Sequence, residues 1–99
     1  MIIRLFRGQV KPEMLSSLDQ VLSEVTIPLI KGRPGLVSYY VGKPMEPNPN
    51  EFLVLTVWTD LQALKAFAGE RWQESVIPER MAALLKKAFV YHYSDFHEG

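Results

Sequence analysis

The sequence contains no cysteine. That absence excludes disulfide staples, thiolate nucleophiles, iron–sulfur clusters and thiolate zinc sites together, and it leaves the redox compartment open. It also lacks an excess of either charge: eleven basic and eleven acidic residues cancel to a formal net charge of zero. They are scattered along the chain and form no phosphate-binding stripe, so nucleic acid is not an expected partner. Long apolar runs are missing too. In Met1-Ile2-Ile3-Arg4-Leu5-Phe6-Arg7 the arginines interrupt the apolar residues, which is unlike a signal peptide or a membrane span. The expectation is a cytoplasmic soluble protein with no membrane partner. Glycine-rich phosphate loops, metal-spaced histidines and Ser-His-Asp patterns are absent as well, so nucleotide, metal and hydrolase readings find no support.

What is present fits one domain over residues 1–99, with 47% apolar and 11% aromatic side chains. Residues 2–10 alternate with the period of a strand, Ile3 and Leu5 on one side and Ile2, Arg4 and Phe6 on the other. Met14, Leu15, Leu18, Val21, Leu22, Val25 and Leu29 then recur at three- and four-residue steps, predicting an amphipathic helix over 13–31 with a bend near 24–28 caused by Pro28. After the Gly32-Arg33-Pro34-Gly35 break, the β-branched and aromatic run 36–41 predicts a second strand. A stiff loop with three prolines in residues 43–50 leads to the strongest strand, Phe52 to Trp58, at whose end Asp60 offers a helix cap. Leu61, Leu64, Phe67 and Ala68 give the next helix its apolar side, and Gly69 ends it. Trp72, Val76 and Ile77 belong to a short helical or irregular piece. Pro78 opens a further helix carrying Met81, Leu84 and Leu85, and residues 88–94 form the last strand.

The order is two βαβ halves, the ferredoxin-like βαββαβ plan: an α+β domain with a four-stranded antiparallel sheet and helices on one face. Leu53, Leu55 and Val57 suit the covered face, and the alternate set Phe52, Val54, Thr56 and Trp58 is almost as apolar. At roughly 25 cal/mol per Å² of apolar surface, leaving such a face wet forgoes several kcal/mol in a domain of marginal stability. A second copy of the sheet is the economical cover, giving a homodimer closed as an α+β barrel.

The opening MIIRLFRGQVKPE, the turn PGLVSYYVGKP, the segment EFLVLTVWTDLQALKAFAGE and the closing FVYHYSDF resemble, in order and spacing, the antibiotic biosynthesis monooxygenase family of dimeric α+β barrels. The resemblance runs over nearly the whole chain and rests on structural motifs. It implies a dimer with a pocket on each subunit and cofactor-independent oxidation of quinol-like aromatics. Haem-degrading relatives carry an Asn on the first strand and a His on the helical segment after the third; this chain has Phe6 and Arg7 near the first position and no histidine between Trp58 and His92.

Within that reading His92, in the last strand, is the candidate base that takes a proton from a phenolic substrate so that O₂ can react. The plain alternative is a strand histidine satisfied by a neighbouring carbonyl or water. Arg4, placed on the face away from the helices by the parity above, is the candidate stabiliser of a carboxylate, phenolate or oxyanion; the alternative is an interface ion pair. Phe6, Trp58 and Trp72 are candidate walls for a small aromatic substrate, or plain core. Parity leaves open which of Tyr39, Tyr40, Tyr91 and Tyr93 face inward. The rival function is a dimeric barrel without turnover, its interior filled by its own aromatic side chains and holding no cavity of about 300 Å³.

Overall fold

A computed structural model describes residues 1–99. Strand β1 (Ile2–Val10) lies inside the sheet, paired antiparallel with β3 (Glu51–Trp58) on one side and β4 (Leu85–Ser94) on the other, while β2 (Leu36–Gly42) flanks β3. The strand order is β2-β3-β1-β4 in one four-stranded sheet. This is the ferredoxin-like arrangement expected of two βαβ halves, in which each crossover returns a helical layer to the same face.

The first crossover is less regular than a single helix. A 3₁₀ stretch (Pro12–Ser17) leads into α1 (Leu18–Val21), a π turn (Leu22–Thr26) and α2 (Ile27–Ile30). Pro28 explains the irregularity: it offers no N–H and its ring crowds the carbonyl four residues earlier, so the preceding turn widens. Leu18, Val21, Leu22, Thr26 and Ile30 nevertheless keep one buried stripe.

In the second crossover α3 (Leu61–Ala68) begins where Asp60 Oδ1 accepts a hydrogen bond from the Ala63 amide at 2.8 Å, and it ends at Gly69, whose φ of 87° suits glycine. Residues 70–77 form no regular element. Helix α4 (Glu79–Ala82) is a single turn entered from Pro78. The last strand starts at Leu85, three residues before the expected 88, so Leu85 leaves the helix it was assigned to and pairs with Val10.

The two faces of the sheet are reversed relative to the sequence expectation. Phe52, Val54, Thr56 and Trp58 are the buried set on β3, whereas Leu53, Leu55 and Val57 are only half-buried on the side without helices. Arg4 follows the same reversal and points under the helices with 4% of its surface exposed. Gly8 supplies the physical reason. It faces Phe52 across the β1–β3 ladder, and a Cβ there would collide with the Phe52 ring, so the large ring fills the space that the glycine leaves on the helix side. Arg4 and Phe6 share that face with Gly8 by strand alternation.

The open face carries Ile3, Leu5, Leu53, Leu55 and Val57, and the ladder sets Tyr40, Leu55, Leu5 and Tyr91 side by side in one row. Tyr40 is 70% exposed and Tyr93 53%. Tyr39 alone of the four tyrosines turns to the helix side, where it packs against the core with Phe6 and Phe67.

Candidate functional site

Between sheet and helices lies a cavity of about 50 Å³. Its floor is the sheet (Arg4, Phe6, Phe52, Val54, Thr56), one wall is the first crossover (Thr26, Leu29, Ile30), and Phe67, Val76, Pro78 and Met81 close it. The volume is well below the roughly 300–1,000 Å³ usual for small-molecule sites. Its lining is apolar apart from the two threonine hydroxyls and the guanidinium.

Arg4 is the centre of the polar arrangement. Nη1 donates to the carbonyl of Trp72 at 2.6 Å and to Nε2 of His92 at 2.9 Å, and Nη2 donates to the carbonyl of Glu74 at 2.8 Å. No carboxylate pairs with it, although five ion pairs form elsewhere in the chain. Burial lowers its pKa to about 10, which leaves it charged at neutral pH. Because a guanidinium only donates, Nε2 of His92 is the acceptor and the ring proton sits on Nδ1. Burial, and then the adjacent Arg4 charge, lower the His92 pKa, so the imidazole is neutral at physiological pH. Trp72 stands edge-on to the His92 ring, with centroids 5.0 Å apart.

The structure therefore brings Arg4, His92 and Trp72 together and places Phe6 with Arg4 on the cavity floor, while His92 and Trp72 stand behind Arg4, outside the lining. Trp58 is elsewhere: wholly buried, stacked on Phe67 at 5.0 Å, with Nε1 donating to Thr56 Oγ1 at 2.9 Å, and outside the cavity lining. Thr56, Phe52 and the carbonyls of Trp72 and Glu74 were missed by sequence reasoning. The signal for the first two was the glycine at position 8, which assigns Phe52, and hence Thr56, to the face of Arg4. Backbone carbonyls in an irregular segment leave no signal in a sequence.

The description "Antibiotic biosynthesis monooxygenase" belongs to the family that matches residues 1–76. The chain belongs to this family. None of the curated proteins matches it in sequence. Among solved structures it resembles a candidate antibiotic biosynthesis monooxygenase from Deinococcus radiodurans at 17% identity, TM-score 0.76, over 99% of this chain and 95% of that one. It also resembles Rv0793 from Mycobacterium tuberculosis at 17% identity, TM-score 0.73, over 98% and 96% of the two chains. The haem degrader MhuD of the same organism, solved with two haems in its active site, aligns at 12% identity, TM-score 0.73, over 100% and 99%. At such identities the likeness is one of fold. As in any antibiotic biosynthesis monooxygenase family member, the reaction must be argued from the side chains, because one scaffold hosts many sites. In this one, the cavity floor carries Phe6, and the helical segment after β3 carries no histidine.

Proposed function

We propose that this antibiotic biosynthesis monooxygenase family member is a cofactor-independent monooxygenase-like enzyme that oxidises a small aromatic or quinol compound with O₂. The reading is carried by one observation: a buried guanidinium without a carboxylate partner on the floor of a cavity that is otherwise apolar but for Thr26 and Thr56. Loss of the hydroxyl proton raises the electron density of a phenolic ring and prepares it to donate to O₂. Arg4 stabilises the phenolate oxygen, and in an apolar surrounding that charge is worth far more than in water. His92 takes the proton: it is neutral, and its Nε2 lone pair becomes free as Arg4 turns from it to the substrate oxygen. Phe6 supplies aromatic surface at the cavity floor, and Trp72, outside the lining, backs the His92 ring. The working unit in this proposal is a homodimer, whose partner sheet covers Leu5, Leu55 and Tyr91 on the open face.

A second reading has its own support. The cavity of about 50 Å³ and the wholly buried Trp58 suit a barrel filled by its own side chains, without turnover. Oxygen uptake by the purified protein with a panel of dihydroxyaromatics separates the two. Uptake that falls at least about tenfold in Arg4→Met supports the enzyme. No uptake with any member of the panel ends the enzyme reading and leaves the filled barrel.

A further inference from the structure

Residues 70–77 connect α3 to α4 across the mouth of the cavity, and their backbone is tied to the rest of the protein in one place. From Glu70 to Ile77 the only backbone hydrogen bond within the segment runs from the Glu74 amide to the Arg71 carbonyl, and the only ones that leave it are the two from Arg4 to the Trp72 and Glu74 carbonyls. Gly69 at one end, with φ of 87°, and Pro78 at the other bound a strap that has no ladder or helix to hold it. Val76 of the strap and Pro78 are part of the cavity lining. The strap's backbone is thus tied over the cavity by a single buried cation, its side chains adding only the packing of Ile77 on the core and of Trp72 on the His92 ring, and the space beneath is too small for an aromatic ring.

We propose that Arg4 is a latch, released by an anionic oxygen of the ligand that replaces the Trp72 and Glu74 carbonyls on the guanidinium. A carboxylate or phenolate is a stronger acceptor for Arg than a neutral carbonyl, and it neutralises a cation that otherwise has no counter-ion. Once the carbonyls are released the strap moves off, and the cavity gains the volume a ring requires. The ligand class is therefore an aromatic molecule bearing an acidic oxygen, held as the anion whether its proton is lost in solution or to His92; aromatics of the same shape without an ionisable oxygen leave the latch closed. This inference rests on reading the cavity as the substrate site.

The test uses the wild-type protein and probes that carry no second hydroxyl to oxidise: 4-nitrophenolate at mildly alkaline pH, benzoate, and the neutral 4-nitroanisole and benzamide. Binding is followed by calorimetry and the strap by the rate of tryptic cleavage after the exposed Arg71. The expected result is that at least one anionic probe binds about tenfold or more tighter than its neutral counterpart, as a charge-assisted bond to Arg predicts, and speeds cleavage after Arg71. Whether the phenolate or the carboxylate does so identifies the acidic group. In Arg4→Met the cleavage is fast without ligand and the preference for the anion is gone. Equal binding of anionic and neutral probes, no binding by either anion, or cleavage that slows or stays constant on binding the anion overturns the latch; these comparisons need no variant to fold. A protein that consumes oxygen with neutral quinols but ignores both anions loses the latch and keeps the enzyme reading. One that opens for an anion but never consumes oxygen keeps the latch and loses the enzyme reading.

Discussion

Arg4 Nη1 and His92 Nε2 lie 2.9 Å apart across the β1–β4 ladder, so a buried cation fixes the tautomer of the imidazole beside it, and burial first and that charge second oppose its protonation. The consequence is a pH dependence of stability. The folded-state pKa of His92 is lowered below its ordinary value of 6.5, whereas in the unfolded chain it is free to protonate near that value. Below it the unfolded state binds the extra proton first, so the contribution of His92 is fully present above the unfolded pKa and is lost as the pH falls through the lower, folded one. Urea midpoints measured from neutral to mildly acidic pH should fall in the wild type. In His92→Gln, whose amide oxygen can still accept from Arg4, that component of the slope should vanish; identical slopes would contradict it.

The open sheet face makes a second prediction. Leu55 lies in the row with Tyr40, Leu5 and Tyr91 and is only half-buried in a single chain. If a second copy covers that row, Leu55→Glu places a charge at its centre and weakens self-association by about a hundredfold or more. Sedimentation should show a dimer for the wild type and a monomer with unchanged circular dichroism for the variant. A wild-type monomer at micromolar concentration would remove the dimer from the proposal.

Gly35 tests the turn before β2. Its φ is +81°, and an added Cβ would meet the Ala63 side chain on α3. Gly35→Ala combines a left-handed backbone strain with overpacking, and the expected loss is about 2–3 kcal/mol of unfolding free energy. Gly32 has a similar φ and open space around it, so Gly32→Ala carries the strain alone and should cost about 1 kcal/mol. Chemical denaturation of the two variants side by side checks the difference.

Trp58→Leu should destabilise the fold by about 3 kcal/mol, since it removes a fully buried ring from its stack on Phe67 and leaves Thr56 Oγ1 without its indole donor. A loss below about 1 kcal/mol would mean that the surroundings close over the gap.

The element order could be read directly because the local signals agree with one another. The alternation of residues 2–10, the Asp60 cap before an apolar helix face and the proline-rich loop at 43–50 each reappear where the pattern puts them. The orientation of β3 could not be read that way. Phe52, Val54 and Trp58 compete with Leu53, Leu55 and Val57 on hydrophobicity alone, and a strand in which both faces are apolar carries no internal mark of which is inside. The parity chosen from Leu53, Leu55 and Val57 then turned Arg4 outward, whereas two strap carbonyls and an imidazole satisfy it beneath the helices.

Periodicity and breaker residues act between near neighbours, so the chain alone determined the order of its strands and helical crossovers and the family. Tertiary packing decided the rest. Arg4 is 68 positions from Trp72 and 88 from His92, and only strand register and the path of the strap bring them together. Which face was buried depended on Gly8 making room for the Phe52 ring across the ladder, a volume match between residues 44 positions apart. No local preference encodes a contact of that kind, because its energy exists only once both strands are in place.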